Sequence, residues 1–238
     1  MKYRLVCFDV DGTLVDNVEY SWNLFHDYFK VDMKRRETAK KQFFDGKISY
    51  EEWALHDIGL WKEKGAKKND FLDAIKHLRL MNGALETVRE LKKRNLRLAI
   101  ISGSVDVILE VLMPYYNKYF DDIFLNKLIF DKNGNIADIK VTPFDIYGKA
   151  EAMKIVAKRE NISLKECVFI GDHRNDIPVM KECGLSIAFD PKDDELRKIA
   201  NIVERSGAKV KAGYVVVNRG EAKMLFPVSH LVEAKSLL

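Results

Sequence analysis

The stretch FDVDGT, residues 8–13, closes an apolar run that begins at Tyr3. A continuous apolar run of this length predicts a strand that is covered on both faces of a sheet. Two carboxylates, Asp9 and Asp11, follow the run directly. Because an unpaired buried charge is costly in free energy, this pair predicts either cations close by in the fold or a chemical role.

The composition narrows the class of protein. The 238 residues suit one domain with an insertion, or two small domains. The net charge of +4 is small and basic residues alternate with acidic ones, which argues against a nucleic-acid partner. No apolar run approaches the ~20 residues that span a bilayer, and the first residues lack a signal-peptide pattern. We therefore expect a cytoplasmic protein with no membrane partner, and the sequence leaves its oligomeric state open.

Three cysteines, Cys7, Cys167 and Cys183, are widely spaced along the chain. This spacing fits reduced thiols inside a core better than a disulfide framework or a zinc site. Such cysteine usage agrees with a cytoplasmic location.

Residues 17–80 differ in character from the rest of the chain. They are rich in lysine, glutamate and aromatic residues, contain no proline, and show helical spacing. Ser49 and Glu52 form a capping box that predicts the start of a helix. We expect about four helices here, forming a cap inserted after the first strand.

From residue 81 onward, predicted strands and helices alternate. Strands are predicted at residues 96–101, 123–125, 128–130, 136–141, 167–170, 185–189 and, at an edge, 202–203. Helices are predicted after a cap at Asn82 and at residues 105–116, 149–160, 176–183 and 193–200. This alternation predicts an α/β fold with a doubly wound parallel sheet, Rossmann-like, joined by right-handed crossovers.

Three regions follow from this pattern. Residues 1–16 and 81–203 form the predicted α/β catalytic core, and residues 17–80 form the helical cap. Residues 204–238 form an extension of unknown role, with a hairpin predicted near residues 218–221.

Polar residues collect at the predicted carboxyl ends of three strands. The strand ends carry Asp9 and Asp11, then Ser102-Gly103-Ser104, then Gly171-Asp172-His173-Arg174-Asn175-Asp176. Parallel doubly wound sheets bind ligands beyond these ends, at a switch in strand order. Four carboxylates in one crevice require a cation, and a hard ion such as Mg²⁺ with oxygen ligands fits best.

Lys149 begins the predicted helix GKAEAMKIVAK. Since a helix N-terminus disfavours positive charge, a lysine at this position is best explained by an anion beyond the helix end. Carboxylates, a metal ion, a lysine, a serine and free backbone amides together indicate a phosphoryl-transfer site.

These motifs resemble the four ordered motifs of the haloacid dehalogenase superfamily, and the cap, the hairpin and GDHRNDIPVMKECGLSIAF resemble its phosphoserine phosphatase branch. The resemblance covers roughly residues 1–203. It implies a Mg²⁺-dependent phosphatase that hydrolyses small phosphate monoesters through an aspartyl-phosphate.

The resemblance also implies residue roles. Asp9 is the implied nucleophile and Asp11 the general acid and base. The implied metal ligands are the Asp9 side chain, Asp11 through its backbone carbonyl, and Asp172. The implied phosphate-binding group comprises Ser102, Gly103, Lys149 and Asn175. Asn175 and Asp176 are expected to support the metal site as a second layer.

Substrate selection is less clearly encoded. The phosphoserine branch supplies an acidic residue after the first motif, for which Glu19 is the candidate, and an arginine after a GK…(F/Y)E run. Here residues 46–51 match that run, but the helix that follows has no arginine. The sequence therefore predicts an enzyme that is not strictly phosphoserine-specific. The residues expected to shape its pocket are Trp53, His56 and Trp61.

His173 and Arg174 stand where that branch usually has small residues, and His173 is interpreted as a solvated loop residue. Two other functions remain open at this point: a phosphomutase or phosphotransferase of the same superfamily, and a non-catalytic regulatory binding protein. The last normally lacks the nucleophile or the acid, and both are present here.

Overall fold

A computed structural model describes residues 2–203 with their side chains, and the backbone alone of Glu204 and of residues 214–219 and 222–227. The strands are β1 (Leu5–Phe8), β2 (Val15–Asp16), β3 (Arg79–Leu80), β4 (Arg97–Val105), β5 (Asp122–Phe130), β6 (Ile136–Lys140), β7 (Cys167–Gly171), β8 (Leu185–Phe189), β9 (Ile202–Glu204), β10 (Tyr214–Arg219) and β11 (Ala222–Pro227). The helices are α1 (Ser21–Phe29), α2 (Met33–Phe44), α3 (Tyr50–Glu63), α4 (Lys68–Ala74), α5 (Ala84–Lys93), α6 (Asp106–Leu112), α7 (Lys149–Arg159), α8 (Ile177–Glu182) and α9 (Asp194–Ile199).

The central sheet has seven strands in the order β6-β5-β4-β1-β7-β8-β9. All neighbours in it are parallel except β5 and β6. β1 lies between β4 and β7, and Phe8 at its end is in register with Ile100 and Ile170. The strand order switches at β1: β4 and β5 lie on one side of it, and β7, β8 and β9 lie on the other. The residues after β1 therefore lie in the crevice where such folds bind ligands.

Both faces of the sheet are covered by helices, as a doubly wound fold requires. Side chains alternate across β1: Val6 and Phe8 pack into one core cluster, and Leu5 and Cys7 into the other. All four are buried. The predicted α/β fold is therefore confirmed, and the three cysteines are free and buried, as expected.

Four helices, α1 to α4, lie between β2 and β3, matching the number predicted for this segment. Ser49 and Glu52 form the predicted capping box at the start of α3. β2 and β3 pair as a short antiparallel ribbon, with Val15 opposite Leu80, so the chain leaves and re-enters the sheet at one place. We call residues 17–78 the helical insertion.

Several predicted element boundaries are wrong. The strands predicted at residues 123–125 and 128–130 are one strand, β5, and the helix predicted at residues 105–116 ends at Leu112. Gly83, at φ +81°, is the N-cap of α5 rather than Asn82. β4 continues beyond its predicted end at Ile101 to Val105, with an irregular register against β5. Ser102 is thus held inside a strand.

In the extension, β10 and β11 pair antiparallel with Arg219 opposite Ala222, which agrees with the predicted hairpin. The turn itself and residues 205–213 and 228–238 lie outside the described residues. No helix in the described part of the chain is both long and apolar enough to cross a membrane.

Candidate active site

Asp9 is the first residue after β1 and is fixed by the neighbouring strand. Its backbone N–H donates to the carbonyl oxygen of Ile170 at 2.9 Å. Its carboxylate accepts from the Val10 N–H at 2.8 Å through Oδ1, and Oδ2 lies 2.8 Å from Lys149 Nζ. Only 5 % of Asp9 is exposed. The structure thus pairs this buried carboxylate with a cation.

Asp11 lies in a different environment from Asp9, although only one residue separates them. Its Oδ2 accepts from the Ser21 N–H at 2.7 Å, and its Oδ1 accepts from Ser104 Oγ at 2.6 Å. Burial raises the pKa of Asp11 to about 6, since it outweighs these hydrogen bonds, and the charge of Asp9 adds to the rise. Asp11 can therefore hold a proton at a pH where ordinary carboxyl groups are ionised.

Lys149 begins α7 and is almost completely buried. Its Nζ lies 2.8 Å from Asp9 Oδ2 and 2.7 Å from Asp176 Oδ1. Burial by itself would lower the pKa of the lysine, but the charges of Asp176, Asp9 and Asp145 raise it above the usual value. Lys149 is thus held as a cation behind the carboxylates, as its position at the helix start predicts.

Asp9, Asp172 and Asp176 bring carboxylate oxygens within 4.8 Å of one another. Burial, then the charges of Asp9 and Asp176, raise the pKa of Asp172 to about 9. Asp172 Oδ2 is buried without a hydrogen-bond partner, and a Cβ on Gly12 would lie 2.1 Å from this atom. Asp172 Oδ2 therefore lies against the backbone of Gly12 without a hydrogen-bond donor. Carboxylate oxygens of Asp9 and Asp176 lie near Asp172.

This donor set fits a hard divalent cation. Asp9 and Asp172 are the side chains that can hold it, because both oxygens of Asp176 are already engaged by Lys149 and by the His173 N–H. The Asp11 carboxylate is turned toward Ser21 and Ser104 and does not belong to this donor set. Asp176 remains positioned to support the site.

Ser102 and Gly103 lie in β4 beside this cluster. Ser102 Oγ accepts from the Ser104 N–H at 3.1 Å. The Gly103 carbonyl accepts from Trp22 Nε1 at 2.9 Å and from Asn126 Nδ2 at 2.7 Å, which fixes the peptide groups of this strand end.

Asp145 also lines the cavity at these strand ends, and no motif in the sequence signals it. A Cβ on Gly103 would lie 2.0 Å from Asp145 Cγ, so only glycine allows this approach. Tyr50 OH donates to Asp145 Oδ2 at 3.0 Å, and Asn175 Nδ2 lies 3.4 Å from its Oδ1. Burial raises the pKa of Asp145. This carboxyl group joins the loop before α7 to the helical insertion.

A cavity of about 560 Å³ lies between the strand ends and the helical insertion. Its size falls within the ~300–1,000 Å³ usual for small-molecule sites. It is lined by the proposed chemical residues Asp9, Asp11, Ser102, Gly103, Asp172 and Asn175.

The residues predicted to select substrate separate into two groups. Glu19 and Trp53 line the cavity as expected. Trp61 is completely buried among Phe25 and other aromatic side chains of the helical insertion, and neither it nor His56 is among the lining residues. The expectation that Trp61 and His56 shape the pocket is therefore corrected. Aromatic side chains on an amphipathic helix most often pack inward, and Trp61 does so.

His173 is not a solvated loop residue. It lines the cavity, and its side chain is 19 % exposed. Tyr20 OH lies 2.6 Å from His173 Nδ1, with the two rings edge to face at 4.9 Å. This contact joins the start of α1 to the loop after β7.

Sequence reasoning also missed Arg36. This residue lies on α2, is 7 % exposed, and lines the cavity. The resemblance predicts an arginine on α3, and this helix carries none. Only the packing of α2 beside α3 brings Arg36 to the cavity wall, and the local sequence carries no motif that signals it.

Comparison with known proteins agrees with this geometry. A model of the haloacid dehalogenase-like hydrolases matches residues 3–184. The chain belongs to this family. It is 30% identical to a phosphoserine phosphatase of Methanocaldococcus jannaschii over 188 residues, which are 79% of this chain and 86% of that relative. A phosphoserine phosphatase of Archaeoglobus fulgidus is 28% identical over 192 residues, 80% of this chain, which spans about half (53%) of that longer relative.

Among solved structures, a phospho-aspartyl intermediate analogue of a phosphoserine phosphatase superposes with a TM-score of 0.63 at 29% identity, covering 86% of this chain and 94% of the other. The predicted family and its phosphoserine-phosphatase-like branch are therefore confirmed. A Mg²⁺-dependent reaction through an aspartyl-phosphate is general for phosphatases of this family.

Proposed function

We propose that this haloacid dehalogenase-like hydrolase is a Mg²⁺-dependent phosphatase that cleaves small phosphate monoesters through a phosphorylated Asp9. The observation that carries the proposal is the contrast between the two neighbouring carboxylates. Asp9 is paired with Lys149 at 2.8 Å, and Asp11 has a pKa raised to about 6. One group is thus kept as a nucleophile and the other can carry a proton.

In the first step, a carboxylate oxygen of Asp9 forms a bond to phosphorus while the bond from phosphorus to the ester oxygen breaks. Asp11 gives its proton to the leaving oxygen, so an alcohol departs. In the second step, water attacks phosphorus and gives its proton to Asp11, and Asp9 is released together with inorganic phosphate. Both steps use the same two side chains in opposite directions.

The other residues hold the phosphoryl group. Ser102 Oγ, the Gly103 N–H and Lys149 Nζ are the donors available to its oxygens, and Asn175 stands at the cavity wall. Asp9 and Asp172 would hold Mg²⁺, which supplies charge neutralisation of the phosphoryl oxygens when it is bound. Asp176 positions Lys149 through the 2.7 Å contact between Oδ1 and Nζ. The site is built for a dianionic phosphate.

We further propose that the enzyme works on a wider set of monoesters than phosphoserine, although its relatives are named as phosphoserine phosphatases. α3 lacks the arginine that the resemblance predicts, and the cavity is walled by aromatic side chains. With its free buried cysteines the protein fits a cytoplasmic setting.

Phosphate release from 4-nitrophenyl phosphate tests the reaction. We expect turnover with Mg²⁺, loss in excess EDTA, and recovery when Mg²⁺ is restored. Asp9→Asn should abolish turnover, because an amide is a far poorer nucleophile. Asp138→Asn, an exposed aspartate on the distant strand β6, is the matched control and should keep the wild-type rate.

Full activity of Asp9→Asn, or full activity of the wild type in excess chelator, would contradict the proposal. Addition of an alcohol or sugar acceptor separates hydrolysis from phosphoryl transfer. If phosphorylated acceptor replaces free phosphate as the main product, the protein is a transferase. Absence of any turnover, with Asp9 intact, would favour a binding protein.

A further inference from the structure

The carbonyl oxygen of Gly103, near the end of β4, accepts two hydrogen bonds from side chains. Trp22 Nε1 donates to it at 2.9 Å and Asn126 Nδ2 donates to it at 2.7 Å. Trp22 lies on α1 of the helical insertion, and Asn126 lies on β5 of the central sheet. Because a carbonyl oxygen has two lone pairs, these two donors satisfy it, and they fix the peptide unit that joins Gly103 to Ser104.

Asn126 is completely buried and has one orientation in this network. Its Oδ1 accepts from the Thr142 N–H at 2.9 Å. Since a backbone N–H can only donate, the side-chain oxygen must face Thr142, and the amide nitrogen faces Gly103. The same nitrogen also donates to Tyr50 OH at 3.0 Å. Both hydrogens of the amide are therefore in use, and the direction of the donor toward Gly103 is fixed.

Trp22 is held by the interior of the helical insertion. Its ring stacks on Trp61, with the ring centres 5.1 Å apart and the planes at 30°. Trp61 is completely buried, and its Nε1 donates to His26 Nδ1 at 3.0 Å. The indole of Trp22 therefore moves with the insertion. Whether its N–H reaches Gly103 depends on how the insertion lies on the sheet.

The peptide unit that these donors fix leads directly to Ser102. The Gly103 carbonyl and the Ser104 N–H belong to one unit, and this N–H donates to Ser102 Oγ at 3.1 Å. A carbonyl group that accepts hydrogen bonds makes the N–H of its own unit a stronger donor, because electrons are delocalised over the unit and hydrogen bonds in a chain polarise one another.

Ser102 Oγ acts as an acceptor in this chain, so its own hydrogen must point elsewhere. No described residue accepts a hydrogen bond from the Ser102 hydroxyl. Ser102 lines the cavity. The hydroxyl hydrogen is therefore available to an acceptor that a ligand supplies, and the bond from the Ser104 N–H makes it a stronger donor.

We propose that Trp22 and Asn126 are positioning residues, which act through the Gly103 peptide unit to prepare the Ser102 hydroxyl as a donor to the phosphoryl group. This inference rests on the proposed phosphatase function. Neither side chain has to touch the phosphate for this role. The helical insertion then does more than enclose the cavity, because its Trp22 completes the phosphate-binding part of the sheet.

A double-mutant cycle with 4-nitrophenyl phosphate and Mg²⁺ tests the proposal. Trp22→Phe keeps an aromatic ring against Trp61 and removes the donor. We expect its kcat/KM to fall by about 3- to 10-fold, the factor for one hydrogen bond between neutral groups. Ser102→Ala alone should lower kcat/KM by about 10²-fold, as the loss of one preorganised donor does. In the Ser102→Ala background, Trp22→Phe should cause no further loss, because the hydroxyl through which Trp22 acts is gone.

Lys62→Met is the matched control. Lys62 also joins the helical insertion to a carbonyl oxygen of the sheet, from its Nζ to Ala137 on β6 at 3.1 Å. Its loss should leave kcat/KM unchanged in both backgrounds. Melting temperatures separate packing from positioning. Any packing that Trp22→Phe removes should lower the melting temperature equally in both backgrounds, whereas its kinetic effect should appear only where Ser102 is present.

Asn126→Ala provides a second cycle. It removes the shorter of the two bonds to Gly103, so its loss of kcat/KM should exceed that of Trp22→Phe and should shrink by at least about 3-fold in the Ser102→Ala background. If Trp22→Phe does not fold, this cycle decides the question alone.

Equal losses from Trp22→Phe in the two backgrounds would overturn the proposal, because Trp22 would then act by contact with the substrate or by stability alone. Wild-type kcat/KM in Trp22→Phe would also overturn it, as would wild-type kcat/KM in Ser102→Ala. Absence of phosphate release by the wild type with Mg²⁺ would instead overturn the proposed function.

Discussion

Asp9 and Asp11 show how two identical side chains, one residue apart, come to different chemistry. Both follow β1, and the backbone turns between them, so Asp9 faces Lys149 and Asp11 faces Ser21 and Ser104. A cation stabilises the charged form of a carboxyl group, and burial without one stabilises the neutral form. The difference therefore comes from where the backbone turns, and it agrees with the proposed roles of Asp9 as nucleophile and Asp11 as acid.

Asp11→Asn should slow phosphorylation of the enzyme in a way that depends on the leaving group. An alkyl phosphate needs a proton on its leaving oxygen, so we expect a loss of about 10²- to 10⁴-fold. 4-Nitrophenolate leaves without a proton, so its loss should be much smaller. Single-turnover rates with both substrates measure this difference. Equal losses would show that Asp11 positions the substrate and does not act as the acid.

Asp106, at the first turn of α6, provides a test of pH-dependent stability away from the site. Burial raises its pKa to about 6, although the Leu128 N–H donates to it. The folded state thus holds a proton that the unfolded state has lost, and stability falls as pH rises from about 4 to about 6. At higher pH, the loss in free energy of unfolding that Asp106 causes stays constant.

Asp106→Asn keeps an acceptor for Leu128 and removes the buried charge. We expect the variant to be more stable than the wild type at pH 8 by about 1–3 kcal/mol, and the gain to vanish near pH 4. Urea denaturation at both pH values measures it. A gain that is independent of pH would show that the carboxyl group is not the cause.

At the scale of elements, the site depends on the length of β4 and on the close approach of the loop before α7 to the end of that strand. β4 extends to Val105, carrying Ser102 and Gly103 into the cavity wall. Asp145 approaches Gly103 so closely that no side chain fits between them. The absence of a side chain at Gly103 thus allows the end of β4 and the loop before α7 to lie in contact.

Gly103→Ala should therefore destabilise the fold and lower activity. Its Cβ would lie 2.0 Å from Asp145 Cγ, which would force this carboxyl group away from Tyr50. We expect a loss of about 1–3 kcal/mol, typical of overpacking, together with a fall in kcat/KM. Gly59→Ala is the control: it lies within α3 with open space around it, so alanine should stabilise by about 0.5–1 kcal/mol. If both variants behave alike, the Gly103 contact is not decisive.

At the scale of the whole molecule, the sheet gathers more buried negative charge than its own cations balance. Asp9, Asp172 and Asp176 lie together, and Lys149 pairs with Asp9 and Asp176 but not with Asp172. A raised pKa near 9 for Asp172 means that, without a divalent ion, stability falls as pH rises from about 4 toward 9. Binding of Mg²⁺ to the folded state should reverse this loss.

We expect Mg²⁺ to raise the melting temperature in a concentration-dependent way, with a larger effect at pH 8 than at pH 5, because a folded-state ligand stabilises by mass action. Asp172→Asn should be more stable than the wild type in EDTA at pH 8, and Mg²⁺ should no longer raise its melting temperature. Thermal scans of both proteins measure this. An unchanged Mg²⁺ effect in the variant would show that Asp172 is not a ligand.

The sequence by itself determined the sheet and the family, and it named the residues of the proposed chemical centre. The apolar run before Asp9, the strand-end motifs and the lysine at a helix start are local patterns. The rule that parallel strands present their carboxyl ends along one edge of the sheet then brings them together without knowledge of packing. The four helices of the insertion followed from helical spacing in the same local way.

The tertiary structure decided which side chains line the cavity. The cavity is lined by Arg36, Asp145 and His173, but not by Trp61. The sequence predicts instead that His173 is a solvated loop residue and that Trp61 shapes the pocket. Helix spacing tells which residues share a face, but the rotation and crossing of α1, α2 and α3 decide what that face meets. Those angles result from the fit of many side chains at once, so the lining of the cavity emerged only from the folded structure.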